Sequence, residues 1–81
     1  MVSAFVIIHC EPSQMYYIIR NLKHIPEVAV ADAVFGYYEI VCKIVTQTQK
    51  DLEKVVINKI RKIENIISTM TLTVVEGQGK M

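Results

Sequence analysis

The sequence has little of what many small functional folds depend on. Its 81 residues include two cysteines, two prolines, three glycines and no tryptophan. Two cysteines are too few for a disulfide scaffold, and no CxxC motif or clustered Cys/His spacing suggests a zinc site. His9 and Cys10 are adjacent on a predicted strand, where neighbouring side chains point to opposite faces and do not share one ion. We therefore expect no metal, no cofactor and two buried structural cysteines.

An excess of charge of one sign is also lacking. The formal net charge is +1, so the chain has no electrostatic footprint for a nucleic-acid backbone. Hydrophobic residues make up 52% of the sequence, but no apolar run approaches the roughly 20 residues that a membrane span needs. No basic segment precedes the first strand-like run, so a signal peptide is not expected. These features predict a cytoplasmic protein that binds neither nucleic acid nor membrane directly.

The period of the apolar residues changes along the chain and predicts six elements. Runs with alternating or continuous β-branched residues indicate strands, and apolar residues at helical spacing indicate amphipathic helices. The predicted order is a strand at 4–10, a helix at 13–25, strands at 28–35 and 38–45, a helix that begins after Thr48, and a strand at 69–75. Thr48 and Asp51 form an approximate capping box at the start of the second helix. One domain over residues 1–76 with a flexible tail at 77–81 is expected.

An internal repeat narrows the fold class. Residues 18–34 align with residues 56–72, so that Ile18, Leu22 and Val28 match Val56, Ile60 and Ile66. Two copies of a βαβ unit, each with a right-handed crossover, interleave into a four-stranded antiparallel sheet. The sequence therefore predicts an α+β protein with the ferredoxin-like βαββαβ sandwich and both helices on one face of the sheet.

The face of the sheet away from the helices is predicted to be apolar too. On the third strand Ile40 and Ile44 lie on one side and Val41 and Val45 on the other, and the first strand likewise has apolar residues on both sides, so whichever side faces the helices, the other is apolar. A monomer needs a polar face there. Each large apolar side chain left in water forgoes roughly 1.5–3 kcal/mol. A homodimer joined face to face, the dimeric α+β barrel arrangement, is expected.

The segment "VFGYYEI" at residues 34–40 joins the second and third predicted strands. In a purely structural interpretation, Gly36 supplies the positive φ of a tight hairpin turn and the tyrosines shield the edge of the hairpin. The same turn is also a candidate for binding a ligand.

Two longer stretches carry a family resemblance. The segments "HIPEVAVADAVFGYYEIVCKIV" at 24–45 and "KIRKIENIISTMTLTVVE" at 59–76 resemble the effector-binding, or RAM (regulation of amino-acid metabolism), domain of the Lrp/AsnC regulators, also called feast/famine regulatory proteins. The most specific parts are the turn Gly36-Tyr37-Tyr38-Glu39, the basic Lys43, and the pair Thr69 and Thr71. The chain resembles a stand-alone RAM domain, because its first strand begins at the third or fourth residue and leaves no room for a helix-turn-helix.

The resemblance implies an assembly and a function. Members dimerise through their sheets and assemble further into octamers or decamer-like rings. They bind small effectors, usually amino acids, in clefts between dimers. Such a chain would modulate transcription without binding DNA itself, and co-assembly with full-length Lrp/AsnC regulators is a further hypothesis.

The implied ligand site consists of Gly36, Tyr37, Tyr38, Glu39, Thr69 and Thr71. Glu39 is suited to accept hydrogen bonds from an ammonium group, and the two threonine hydroxyls are suited to donate to a carboxylate. Tyr37 stands where many members have aspartate. It either favours an aromatic or apolar ligand, or fills the cleft and leaves an assembly module with no effector.

Two other functions are compatible with the predicted fold. Small cofactor-free monooxygenases share the dimeric α+β barrel, and His9, Tyr16, Tyr17 and His24 are the candidates for acid–base chemistry, but no acid and base are paired at defined spacing. No catalytic residue is therefore predicted. RNA-binding domains of the same fold stack bases on aromatic residues of strands one and three. Phe5 and Tyr38 lie on those strands, but the basic and aromatic signature of that module is absent.

Overall fold

The fold is the ferredoxin-like sandwich that the sequence predicts. The computed structural model describes residues 1–34 and 39–75. Four strands and two main helices occur in the order βαββαβ. They are β1 (Val2–Cys10), α1 (Met15–Lys23), β2 (Val28–Val34), β3 (Glu39–Thr46), α2 (Gln49–Val55) and β4 (Ile66–Thr73), with a short 3-10 helix at Pro12–Gln14 and a π-helix at Val56–Ile60.

The strands form one antiparallel sheet in the order β2-β3-β1-β4. β1 and β3 are central, and β2 and β4 are the edges. The second and fourth strands begin at Val28 and Ile66, positions that the internal repeat makes equivalent. β4 therefore starts earlier than its predicted start at Thr69, because Ile66 already pairs with Cys10 of β1. The predicted tail at 77–81 lies outside the described residues.

The core lies between the sheet and the helices. Alternate residues of the two central strands are buried, as expected for strands with one face against helices. The helices contribute Ile18 and Leu22 from α1, Leu52 and Val55 from α2, and Ile60 from the π-helix. The buried strand residues on this side are Ala4, Val6, Ile8 and Cys10 of β1, Ala31 of β2, and Ile40, Cys42, Ile44 and Thr46 of β3.

The opposite side of the sheet, here called the open face, carries exposed apolar side chains, as predicted. Phe5 of β1 pairs with Lys43 of β3 and Leu72 of β4 across this face. Phe5 is 40% exposed and Leu72 is 48% exposed. The other apolar side chains on the face are Val30, Val34, Ile7, Val41, Val45 and Met70. No described element of the protomer covers them.

The second helix begins with the predicted cap and ends in a wider turn. The Thr48 hydroxyl accepts a hydrogen bond from the Asp51 backbone N–H at 3.1 Å, which satisfies one of the free donors at a helix start. After Val55 the backbone continues as the π-helix, and the Arg61 N–H donates to the Val56 carbonyl at 2.9 Å. Single-turn π segments of this kind are rare overall, and those that occur often lie at functional sites.

One ion pair joins the π-helix to the residue before β2. The Lys59 ammonium donates to both carboxylate oxygens of Glu27, at 2.9 and 3.1 Å. This hydrogen bond is the main reason that the pKa of Glu27 lies below its usual value. Both side chains are partly exposed, so the pair adds little to stability. Its effect is to neutralise the charge of Lys59 locally.

The cysteines are buried in the core, as predicted. Removal from water disfavours a thiolate, and burial is the largest cause of the raised pKa of both thiols. For Cys42 on β3 the pKa is raised to about 11. At neutral pH both side chains therefore act as small apolar groups.

Two absences concern the described residues. No helix within residues 1–34 and 39–75 is long and apolar enough to cross a membrane. The same residues contain no group of three or more histidine, cysteine, aspartate or glutamate side chains placed to hold a metal ion.

The raised pKa of Cys42 predicts slow thiol chemistry and a loss of stability at high pH. An unfolded thiol ionises near pH 9 and the native one near 11, so the unfolded state loses its proton first. The free energy of unfolding should fall by about 1–3 kcal/mol between pH 9 and 11 relative to Cys42→Ala. At pH 8, iodoacetamide should modify Cys42 much faster in denaturant than in the native protein, as read by peptide mapping. Equal rates in the two conditions would contradict the assignment.

Candidate functional site

The structure describes three of the six predicted ligand-binding residues. Gly36, Tyr37 and Tyr38 lie outside the described residues. Glu39 is the first residue of β3 and pairs with His9 of β1. The two threonines lie on β4, where Thr69 is opposite Ile8 and Thr71 is opposite Val6.

These three residues do not share a face of the sheet. Directly opposed residues of paired strands point to the same side. Thr69 and Thr71 therefore lie on the helix side, together with the buried Ile8 and Val6. Glu39 lies on the open face, opposite the half-buried His9, and β1 separates its strand from β4. One protomer thus does not bring the carboxylate and the two hydroxyls around a common ligand.

A cleft runs between α2 and the edge strand β4, and Thr71 lines it. Its volume is about 280 Å³. The wall contributed by the helices is apolar, with Leu52, Val56 and Ile57, and the rim is polar. We call this cleft the threonine groove; its lining residues are Gln49, Leu52, Glu53, Val56, Ile57, Thr71 and Thr73.

A second cavity lies beside the first half of β4, and Thr69 lines it. We call it the Arg61 recess; it has a volume of about 420 Å³ and is lined by Arg61, Ile66, Ile67, Ser68 and Thr69. Thr69 and Thr71 are two residues apart on one strand face, a separation of about 6.8 Å. The recess and the threonine groove therefore follow one another along the same strand.

Arg61 and the π-helix residues were not predicted as part of the site. In the sequence, Lys59, Arg61 and Lys62 form a run of basic residues that is typical of the solvated face of a helix. The position of Arg61 in the sequence was the signal that could have indicated its place in the site. Arg61 directly follows the last buried helical residue, Ile60, and a short turn leads from it to β4. In a βαβ unit such a turn places the end of the helix beside the start of the next strand.

A further cavity of about 430 Å³ lies away from the predicted residues. Val45, Thr46 and Gln47 at the end of β3 line it, together with residues of α2 and the π-helix. Its walls include Glu27 and Lys59, whose charges are already paired. Asp51 and Lys54 also line it, whereas Glu39, Thr69 and Thr71 do not.

The candidate acid–base residues do not form a catalytic group within the described chain. His9 and Glu39 are opposite each other on the open face, but no hydrogen bond or ion pair joins their side chains in the described residues. Tyr16 and Tyr17 lie exposed on α1, and His24 ends that helix. These four candidates, the two histidines and the two tyrosines, line neither the threonine groove nor the Arg61 recess.

The comparison with protein families matches nearly the whole chain. A family model described as the Lrp/AsnC ligand binding domain matches residues 3–77. This chain belongs to the Lrp/AsnC ligand-binding domain family. The resemblance found in the turn and in the threonine pair is thereby confirmed at the level of the family.

Individual relatives agree with this assignment. The chain is 33% identical over 78 residues to an uncharacterised HTH-type transcriptional regulator of Pyrococcus abyssi, and the match covers 94% of this chain and 49% of that protein. The chain thus spans about half the length of this curated relative. The Lrp/AsnC relatives are named as transcriptional regulators, which favours the prediction of a non-enzymatic domain; they give no support to the monooxygenase alternative.

Solved structures show the same fold. The crystal structure of FFRP-DM1 matches with 33% identity and a TM-score of 0.87, over 93% of this chain and 100% of that chain. The structure of AsnC from E. coli matches with 31% identity and a TM-score of 0.87, over 95% of this chain and 52% of that chain. The Lrp/AsnC domain fold therefore exists both at the length of this chain and as part of a longer one.

Proposed function

We propose that this Lrp/AsnC domain is a cytoplasmic sensing and assembly module of transcriptional regulation. It binds a small effector of the amino-acid class along β4, assembles through its open face, and acts through protein contacts rather than through contacts of its own with DNA. The main support is the placement of Thr69 and Thr71, which line two successive cavities at an exposed edge of the sheet.

The size and chemistry of these cavities fit a small ligand. Together they lie within the range of volumes seen for small-molecule sites. The apolar wall from Val56 and Ile57 suits an aliphatic side chain, and the hydroxyls of Thr69 and Thr71 supply the few polar contacts that fix orientation. The turn Gly36-Tyr37-Tyr38 remains part of the proposed site.

The position of Glu39 requires more than one protomer for the complete site. Its side chain lies on the open face, whereas the threonines lie on the helix side of β4. A ligand held by both sets of residues must therefore lie between chains. This agrees with the intersubunit clefts that the resemblance to RAM domains implies.

The proposed dimer is supported by the open face itself. Phe5, Met70 and Leu72 are between 40% and 59% exposed in the protomer, although Ala4 and Val6, which flank Phe5 on the other side of β1, are fully buried. The Lys43 ammonium lies 5.9 Å from the centroid of the Phe5 ring, close enough for a cation–π contact. A second copy stacked on this face removes several large apolar side chains from water.

Larger assemblies follow from the same proposal. With the sheets stacked against each other, both helices of each protomer face outward and the edge strand β4 remains accessible. Octamers or decamers of such dimers, or mixed assemblies with full-length Lrp/AsnC regulators, would use these outer surfaces. An assembly module with no effector is the second candidate, favoured by the aromatic Tyr37 in the turn.

A charge on the open face should break the dimer. Phe5→Glu places a carboxylate opposite Lys43, which the protomer tolerates, but buries that charge when two faces stack. We expect a shift from dimer or larger assembly to monomer in sedimentation velocity, with circular dichroism unchanged. Tyr16→Glu is the matched control, because Tyr16 is 82% exposed on α1. Unchanged association of Phe5→Glu would contradict the proposed interface.

Removal of the threonine hydroxyls should weaken effector binding. Thr69→Val and Thr71→Val keep the side-chain shape and remove one hydrogen-bond donor each, so we expect about a 10-fold loss of affinity or more. Native mass spectrometry with the twenty amino acids measures both binding and oligomer size. Thr69→Ser and Thr71→Ser retain the hydroxyl and should bind within a few-fold of wild type. A wild-type protein indifferent to all twenty would favour the assembly module without an effector.

A further inference from the structure

The Arg61 recess has the composition of an anion-binding site. Its five lining residues provide a guanidinium and two hydroxyls, and none of them is acidic. Polar atoms form most of its surface. Ser68 and Thr69 point to opposite sides of β4, so the recess extends around the edge of the strand. An anion bound there would meet donors from both the strand and the end of the π-helix.

The charge of Arg61 is not used elsewhere in the described structure. Within residues 1–34 and 39–75, its side chain makes no ion pair or hydrogen bond. Lys59, two residues earlier, is by contrast paired with Glu27 at 2.9 Å. The Arg61 backbone is nevertheless fixed, because its N–H donates to the Val56 carbonyl at 2.9 Å. A fixed backbone with a guanidinium available for binding suits ligand recognition.

The turn between Arg61 and β4 is also held in place. The Asn65 side-chain amide donates to the Gln14 side-chain oxygen at 2.9 Å. Asn65 has a φ of 74°, a left-handed conformation that asparagine adopts more readily than most residues. The Ile63 N–H donates to the Ile60 carbonyl at 3.0 Å. These contacts fix the position of the recess relative to the start of β4.

A carboxylate is the anion that best matches the recess and its surroundings. A guanidinium binds a carboxylate through two parallel hydrogen bonds, and hydroxyls complete its acceptor shell. From Thr69 the strand continues to Thr71, about 6.8 Å away, beside the apolar wall of Val56 and Ile57. A ligand with its carboxylate at Arg61 therefore extends an apolar body into the threonine groove.

Among the described residues of one protomer, the recess and the groove offer no partner for an α-ammonium group beside Arg61. The acidic residue that lines the threonine groove is Glu53, eight residues before Arg61, which corresponds to about 12 Å along a helix. The α-ammonium group of an amino acid is separated from its carboxylate by a single carbon atom. Glu39 lies on the other face of the sheet. The described residues of one protomer thus provide contacts for the carboxylate and the apolar side chain of a ligand, but not for its amino group.

We propose that Arg61, with Ser68 and Thr69, binds the carboxylate of a small monocarboxylic acid whose apolar side chain lies in the threonine groove. A 2-oxo acid is then recognised in the same way as the corresponding amino acid. This inference rests on the proposed effector-binding function and names its ligand class. It makes Arg61 a binding residue, and it makes the contact of the amino group with Glu39 between chains an addition to the affinity rather than a requirement for binding.

The test compares three forms of two apolar ligands on the full 81-residue chain. L-leucine and L-methionine carry both charged groups, their 2-oxo acids carry the carboxylate alone, and their amides carry the ammonium alone. Isothermal titration should show that the amino acids and the 2-oxo acids bind with affinities within about 10-fold of each other. The amides should bind at least about 10-fold more weakly, a difference of about 1.4 kcal/mol.

Arg61→Gln is the decisive variant. It should lower the affinity for both acids by about 10-fold or more and leave the affinity for the amides unchanged. Lys62→Gln is the matched control, because Lys62 is exposed and does not line the recess. The thermal midpoint of Arg61→Gln should equal that of wild type, since only its backbone makes internal hydrogen bonds.

The outcomes separate this inference from the proposed function. Tight binding of an amino acid that Arg61→Gln leaves intact would overturn the role of Arg61, while effector binding would stand. Equal affinities for the amides and the acids would do the same. A failure of the 2-oxo acids to bind where the amino acids bind would overturn the claim that the amino group is dispensable. If none of the six ligands binds wild type but another of the twenty amino acids does in native mass spectrometry, this inference alone is overturned; if none of the twenty binds, effector binding is overturned as well.

Discussion

The two-sided sheet is the constraint on which the rest of the structure depends. Both helices pack on one side, and there they bury a continuous row of aliphatic residues from β1 and β3. Among the described residues no helix covers the other side, yet Phe5, Ile7 and Val41 point outward from the same strands. An antiparallel sheet of a monomer is polar on its solvated side. The open face is therefore the feature on which the proposed association with a second copy depends.

The edge position of β4 has a different consequence. Among the described strands, β4 pairs with β1 alone and is an edge of the sheet. A cleft separates it from α2 and the π-helix. The hydroxyl row of Thr69, Thr71 and Thr73 is then exposed or half-buried, although the equivalent face of the central strands is fully buried. The wide turn of the π-helix brings Val56 and Ile57 to the same cleft. A polar strand edge beside an apolar helix end is suited to a small amphiphilic ligand.

Most of the fold could be predicted from the sequence, because strand alternation and the internal repeat are local signals. The repeat aligned Val28 with Ile66, the residues at which β2 and β4 begin in the structure, and alternation assigned Ile40 and Val41 to opposite faces. The start of β4 was nevertheless predicted too late, at Thr69, because the alternation of threonine and apolar residues begins there, whereas Ile66 belongs to the strand through its pairing with Cys10.

The candidate site was less predictable than the fold. The threonines of β4 line cavities, but the proposed role of Arg61 depends on where the π-helix ends, and in the sequence it is one basic residue among several. The separation of Glu39 from the threonines follows from sheet order, since β1 lies between their strands. Sequence motifs name residues of a site without showing which of them one protomer brings together.

Stacking of the open faces can be observed directly by isotope-filtered NMR. A sample mixed from ¹³C-labelled and unlabelled chains reports only contacts between different copies. Stacked open faces should give intermolecular nuclear Overhauser effects among the methyl groups of Ile7, Val41 and Leu72 and the ring of Phe5. Their absence at concentrations where the protein is associated, or contacts confined to α1 and α2, would contradict association through the open face.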